Sequence, residues 1–156
     1  MTNSIADKLA TLGHQLPQPS APAANYVSVV RTGNLLFVAG QVSIGESKEV
    51  MQGRLGADLD VERGQLAAQR AAIGVLAHIA AATNGQLSAV RRIVRLGVFV
   101  AATPDFTKHP EVANGASDLI AAVFGERGKH ARATVGVASL PRGAAVEVDA
   151  IVELEG

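Results

Sequence analysis

The sequence predicts a single domain that combines helices and strands in the order α, β, β, α, β, α, β, β. Two observations support this prediction. Ala-rich segments with apolar residues at helical spacing alternate with short runs of β-branched residues. The chain has 156 residues, of which 48% are hydrophobic and 18% charged, which is enough for one packed core. We therefore treat residues 1–156 as one domain in which residues 1–19 form an N-terminal helix and connector.

The N-terminal region predicts a short amphipathic helix over residues 4–12, with Asn3 or Ser4 as the N-cap and Gly13 as the stop. Three prolines in residues 16–24 predict an extended connector after it.

Two apolar and β-branched runs, residues 26–31 and 34–42, are separated by a Thr-Gly pair and predict the first hairpin. The polar, glycine-containing residues 43–59 predict a loop.

The longest predicted element is a helix over residues 61–83, which Asp60 caps and an Asn-Gly pair ends. Its apolar stripe consists of Leu66, Ile73, Leu76 and Ile79 or Ala80. Residues 91–101 follow as a strand whose apolar second half predicts burial on both faces. A second helix over residues 111–124 has Pro110 at its start.

Residues 130–150 predict two strands around a turn, paired as a closing hairpin. Alternation places Arg132 on one face with Thr134, Gly136 and Ala138, so its guanidinium stands over very small residues. A guanidinium in such a place can anchor a ligand carboxylate, because its planar donors match the two oxygens. An ordinary surface arginine is the alternative, and geometry alone leaves both open.

Composition excludes several classes of function. There are no cysteines, which rules out disulfides and thiolate chemistry, and the net charge is zero, so no overall positive field attracts nucleic acid or membranes. No phosphate-binding motif is present, and no two of the four histidines have metal-ligand spacing, so we expect neither a cofactor nor a metal. Arg91 and Arg95 fall on one face and Arg92 on the other, which is not a basic platform. We expect a cytoplasmic protein.

Four segments resemble the RidA (YjgF) family of enamine/imine deaminases. The run A-R-A-T-V-G-V-A-S-L-P at residues 131–141 matches the family's A-R-x-x-V-x-V-x-x-L-P, and V-E-V-D-A at residues 146–150 matches V-E-[IV]-[ED]-A. Upstream, A-P-A-A-N-Y at residues 21–26 and G-N-L-L-F-V-A-G-Q at residues 33–41 are similar to the family's first conserved segments. The resemblance spans roughly residues 20–154.

The resemblance implies a ferredoxin-like α+β protomer, similar to bacterial chorismate mutase, with a mixed β-sheet packed on two helices. It implies a homotrimer with clefts between subunits. The implied activity is hydrolysis of reactive imines and enamines, derived from amino acids, to 2-keto acids and ammonia without a cofactor. The implied ligand is a small carboxylate-bearing imine or keto acid.

The resemblance also assigns residues to the cleft. Arg132 would hold the substrate carboxylate, and Glu147 would position or activate the attacking water. Gly40 and Thr134 would offer backbone groups, with Thr134 standing where many relatives have cysteine. Tyr26 would line the cleft from a neighbouring subunit.

Two features of the sequence complicate the assignment of the family's site residues to this chain. The family commonly has an asparagine in the last helix, whereas here Asn114 lies one turn early and Ser117 holds the expected offset; we take both as candidate substrate-binding residues. In a simple hairpin, Glu147 would also lie about 16 Å along the strand from Arg132. Either a bulge or a neighbouring subunit must then complete the site.

Two other functions fit parts of the sequence. A sensor protein would bind a small carboxylate in the same inter-subunit cleft without turning it over. An endoribonuclease, an activity reported under the family's name, is disfavoured because aromatic residues are only 3% of the chain and offer few stacking platforms for bases.

Overall fold

The computed structural model describes residues 2–156 as a five-stranded mixed sheet with three α-helices. The helices are α1 (Ile5–Thr11), α2 (Val61–Ala82) and α3 (His109–Phe124). The strands are β1 (Val29–Thr32), β2 (Leu35–Val42), β3 (Val90–Ala101), β4 (Ala131–Val137) and β5 (Val146–Leu154). This confirms the predicted α+β class and the predicted order of elements.

The sheet has the strand order β1-β2-β5-β3-β4, and only the β3–β4 pair is parallel among the described strands. Helices α2 and α3 pack on one face of the sheet and on each other, and α1 packs on both helices. Alternate residues of β5 point into this helix layer and are buried, from Val146 to Leu154. The opposite face of the sheet, the open face, has no helix of residues 2–156 packed on it and carries the other set of side chains. Phe37 and Val135 are exposed on this face.

Helices α1 and α2 begin with the capping residues that the sequence indicates. Ser4 accepts a hydrogen bond from the backbone N–H of Asp7, and Asp60 accepts one from that of Arg63, so each cap satisfies a donor that the helix leaves free. One member of the predicted stripe is wrong: Leu66 is 45% exposed, while Ile73, Leu76 and Ile79 are fully buried. The buried face of α2 is instead widened by alanines, which let α3 approach closely.

The predicted closing hairpin is wrong. Strand β3 lies between β4 and β5, so β4 is the edge of the sheet and β5 is at its centre. The connection between β4 and β5 passes around the end of β3, where the N–H of Ala102 donates to Val137 O (3.1 Å) and the N–H of Ala101 donates to Ala145 O (2.9 Å). A turn sequence permits a reversal of the chain but does not decide which strand becomes the neighbour.

Register shifts in β3 also correct the predicted alternation of its arginines. The pairing of β3 with β5 shifts twice, between Val90 and Arg92 and between Ile93 and Arg95. Arg92 and Arg95 consequently share one face, where they pair with Glu153 (3.3 Å) and Asp149 (3.8 Å) of β5.

None of the helices within residues 2–156 combines the length and the apolarity that crossing a bilayer requires.

Candidate functional site

Arg132 lies on the edge strand β4 and points toward helix α3. Its Nη1 donates to Asn114 Oδ1 (2.9 Å) and to Ser117 Oγ (3.1 Å), and its Nη2 lies 3.4 Å from the carbonyl oxygen of Pro110. Asn114 and Ser117 are three residues apart on one helix, so both present their side chains to the same guanidinium. The structure thus places Asn114 and Ser117, the two candidate residues of the helix, in contact with Arg132.

The surroundings of Arg132 correct one expectation. The sequence predicted that the guanidinium stands over very small residues only, but α3 covers this face of β4 and supplies neutral oxygen acceptors. No carboxylate among residues 2–156 lies within 4.0 Å of the guanidinium. A half-buried guanidinium that is oriented by neutral groups keeps its full charge for an external anion.

Helix α3 is held in place by a close contact behind the site. Gly115 lies between the two residues that contact Arg132, and a β-carbon there would overlap the backbone carbonyl of Gln65 on α2. The absence of a side chain at Gly115 therefore allows α3 to pack directly on the backbone of α2.

His130 is a site residue that the sequence reasoning missed. It precedes β4, two residues before Arg132, and its Nε2 lies 2.8 Å from Ser117 Oγ. His130, Ser117 and Arg132 line a surface groove of about 330 Å³. Period-two alternation could have found His130, because a residue two positions before Arg132 in an extended segment faces the same side.

Thr134 and Gly136 continue the same face of β4. The hydroxyl of Thr134 is buried and has no hydrogen-bond partner among residues 2–156. A β-carbon at Gly136 would contact the His109 ring, so glycine makes room for this side chain, which also stacks edge-on with Phe106 at 5.2 Å. The backbone of β4 is free on its outer side within the described chain, because only β3 pairs with it.

Glu147 lies on β5 next to Gly40 of β2. A β-carbon at Gly40 would overlap the Glu147 carboxylate, so glycine is what allows the carboxylate to lie against the β2 backbone. Burial raises the pKa of Glu147 above that of an ordinary glutamate, and the negative charge of Asp149 raises it further. A carboxylate of this kind is a better proton acceptor than an exposed one.

A bulge in β2 produces the contact between Gly40 and Glu147. The register of β2 against β5 shifts between Val38 and Gln41. Gln41 then points into the helix layer, where its Nε2 donates to Ala39 O (3.0 Å) and its Oε1 accepts from Ser20 Oγ (2.9 Å). Ser20 also contacts Nε2 of His78, which is 5% exposed and whose pKa is lowered by burial. These contacts fix the bulge.

Arg132 and Glu147 do not meet within one protomer. Arg132 pairs with Leu96 in the parallel register, whereas Glu147 lies opposite Phe99, three positions further along β3. Their Cα atoms are therefore separated by two strand spacings and three residues, on the order of 14 Å. Arg132 also points into the helix layer, while Glu147 lies on the open face of the sheet.

Tyr26 lies outside β1, in a bend before the strand begins. It was predicted to start the first strand. Its side chain is 47% exposed, and its hydroxyl accepts a hydrogen bond from the N–H of Ala23 (3.3 Å). The structure does not place it in hydrogen-bond contact with the other candidate site residues.

No group of three or more His, Asp or Glu side chains within residues 2–156 is arranged to hold a metal ion.

Comparison with known proteins identifies relatives over almost the whole chain. Residues 6–154 match the family described as "YjgF/chorismate_mutase-like, putative endoribonuclease". The chain is 53% identical to protein TCP17 of Trypanosoma cruzi, over 96% of this chain and 94% of that protein. It is 29% identical to a 2-iminobutanoate/2-iminopropanoate deaminase of Dermatophagoides farinae, over 89% of this chain and 91% of that protein. The crystal structure of Atu1372 from Agrobacterium tumefaciens, a protein described as of unknown function, superimposes with a TM-score of 0.90 at 48% identity, covering 97% of this chain and 92% of that chain.

Proposed function

The chain belongs to the YjgF/RidA family, and on that premise we propose that it hydrolyses reactive imines and enamines of amino-acid metabolism to 2-keto acids and ammonia. The proposed reaction uses no cofactor. The observation that carries the proposal is Arg132, a half-buried guanidinium oriented by Asn114 and Ser117 with no carboxylate partner among the described residues. The deaminase of Dermatophagoides farinae among its relatives supports the same reaction class.

Arg132 binds the substrate carboxylate in this proposal. Its Nη1 is occupied by Asn114 and Ser117, while Nε has no hydrogen-bond partner among residues 2–156. The contacts to α3 hold the plane of the guanidinium fixed before the ligand arrives, so little side-chain entropy is lost on binding. In a 2-imino acid the carbon that reacts is bonded directly to the carboxylate carbon, so an anchored carboxylate also places the reacting atoms.

Glu147 acts as the base that activates water. Water adds to the protonated imine carbon while Glu147 takes one of its protons, which gives a carbinolamine. Glu147 then returns that proton to the nitrogen. The carbon–oxygen double bond forms as the carbon–nitrogen bond breaks, and the hydroxyl proton ends on the released ammonia, which leaves as ammonium. The raised pKa of Glu147 suits both steps, because the group must accept and donate within one turnover.

The complete site is shared between neighbouring subunits of a homotrimer in this proposal. Arg132, Asn114 and Ser117 form one half, on the helix side of the edge strand, and Gly40 and Glu147 form the other half, on the open face. Since the two halves lie on opposite faces of one sheet, a second copy must bring its open face against the edge strand of the first.

The assay that tests the proposal generates 2-iminopropanoate from an amino acid with a pyridoxal-phosphate enzyme and measures 2-keto acid release. We expect the wild-type protein to accelerate release above the spontaneous rate. An unchanged rate with every amino-acid-derived imine contradicts the proposal. If 2-keto acids nevertheless raise the melting temperature, the result favours a carboxylate sensor instead, since only a ligand that binds the folded state stabilises it.

The activity should depend on pH through Glu147. Because the carboxylate is the active form, kcat/KM falls as pH decreases through the pKa of Glu147, and the raised pKa places this fall above the range of an ordinary glutamate. Asp149→Asn removes a neighbouring negative charge and should move the acidic limb to lower pH. Glu153→Gln is the matched control, because Glu153 lies on the same face of β5 and also pairs with an arginine, but it does not contribute to the raised pKa of Glu147. A limb that stays in place in Asp149→Asn contradicts the role of Glu147.

A further inference from the structure

Three side chains and a backbone carbonyl form a continuous hydrogen-bonded chain beside the groove. His130 Nδ1 lies 2.6 Å from Gly128 O, His130 Nε2 lies 2.8 Å from Ser117 Oγ, and Ser117 Oγ lies 3.1 Å from Arg132 Nη1. A chain of this kind connects a titratable imidazole to the guanidinium through one hydroxyl.

The partners assign the protons along this chain. A carbonyl oxygen only accepts, so Nδ1 of His130 carries the hydrogen that meets Gly128 O. In the neutral ring Nε2 is then the acceptor, and Ser117 donates its hydroxyl hydrogen to it. Arg132 only donates, so Ser117 Oγ accepts from it. Each of the three hydrogen bonds then has one donor and one acceptor, and Nε2 of the imidazole is the atom that can take a proton from Ser117.

We propose that Ser117 and His130 form a proton relay that serves the substrate held by Arg132. The inference rests on the proposed function. Ser117 is the residue of the relay that touches the reacting atoms, and His130 acts through Ser117 as a positioning and proton-accepting residue. Both lie in the same protomer as Arg132 and on the same side of the sheet, so this part of the site needs no neighbouring subunit.

The relay serves the collapse of the carbinolamine. By then Glu147 has returned its proton to nitrogen, so the intermediate carries a hydroxyl and an ammonium group. The hydroxyl proton passes to Ser117 Oγ as the Ser117 proton passes to His130 Nε2, and the carbon–oxygen double bond forms. The carbon–nitrogen bond breaks and its electron pair leaves with ammonia. The imidazolium then returns its proton through Ser117 Oγ to the released ammonia. The sum is one protonated imine and one water consumed, and one keto acid and one ammonium ion formed.

Arg132 assists the same step. Its hydrogen bond to Ser117 Oγ stabilises developing negative charge on that oxygen, which lowers the cost of passing the hydroxyl proton to His130. Lys129 and Asp118 are the other charged side chains that line the groove. Lys129 lies 3.1 Å from Glu126 in a surface ion pair, so it has a partner of its own outside the chain.

The test compares His130→Gln, Ser117→Ala and the double variant in the imine assay. Glutamine can still accept the Ser117 hydrogen bond but cannot take up a proton. We expect kcat to fall on the order of 10²-fold in each single variant with KM changed less than about threefold, and no further fall in the double variant. Glu126→Gln is the control, because it removes a titratable group from the same segment whose side chain is 86% exposed and should leave kcat unchanged.

Two outcomes overturn the relay while the proposed function stands. If the His130→Gln variant has the same kcat as the wild type, His130 does not take part in proton transfer. A rise in KM without a fall in kcat means that His130 and Ser117 only orient Arg132.

A spectroscopic readout separates the relay from the proposed function. Imidazole ¹⁵N resonances of the wild-type protein should show neutral His130 protonated at Nδ1, and an Nε2-protonated ring overturns the relay whatever the activity. A wild-type protein that hydrolyses no imine overturns the proposed function, and with it the role of the relay in that reaction.

Discussion

We expect Arg132→Ala to lower kcat/KM for a 2-imino acid by on the order of 10³-fold. Two charge-assisted hydrogen bonds to a carboxylate contribute about 1.5–3 kcal/mol each, and about 4 kcal/mol corresponds to that factor. Part of the loss should appear in kcat, because the anchored carboxylate also orients the imine carbon. Steady-state kinetics of the wild-type and variant proteins measure it.

Arg92→Ala is the matched control for this experiment. Arg92 is also an arginine of the sheet, but it lies on the open face and already pairs with Glu153. An exposed pair of this kind contributes little to stability, so both activity and melting temperature should stay close to those of the wild type. A folded Arg132→Ala protein with undiminished kcat/KM would remove the anchor from the proposed mechanism.

Mixing two inactive proteins should restore activity. Arg132→Ala lacks one half of the proposed site and Glu147→Gln lacks the other, so each is inactive alone. After mixed refolding or co-expression, a site is complete where a Glu147→Gln subunit supplies Arg132 and an Arg132→Ala subunit supplies Glu147. Random assembly from equal amounts makes about a quarter of the sites complete.

A pair of variants from the same half gives the control for mixing. Arg132→Ala and Ser117→Ala both damage the half that α3 and β4 build, so no arrangement of their subunits yields an intact half, and activity should not rise. A mixture of Arg132→Ala and Glu147→Gln that stays inactive, although the subunits are shown to exchange, contradicts a site shared between copies of this chain.

Local signals were sufficient for most of the fold. The helix capped by Asp60 begins at Val61 as predicted, because a cap and a long apolar period act over neighbouring residues. Strand pairing was beyond these signals. The turn at Arg142 and Gly143 has positive φ at both residues, as a tight reversal needs, yet the strands it joins are separated by β3. Which strand becomes the neighbour depends on contacts distant in sequence.

The candidate site was also predictable only in part. Alternation correctly placed Arg132 and Thr134 on one face of β4, but it could not show that α3 covers that face. The separation of Arg132 from Glu147 was expected for a reason that proved wrong, since it arises from an intervening strand and from opposite faces rather than from distance along a hairpin. The bulge beside Gly40 has no sequence signature that the period-two pattern reveals.

Gly115 constrains the position of α3, and through it the geometry of the site. Its missing β-carbon lets α3 rest on the backbone of α2, and the residues on either side of this contact include the two that orient Arg132. A substitution on the outward face of α3 leaves this contact intact, whereas a shift of the helix itself would move Asn114 and Ser117 together. The position of the Arg132 guanidinium therefore depends on the contact between Gly115 and the backbone of α2, which lies outside the ligand site.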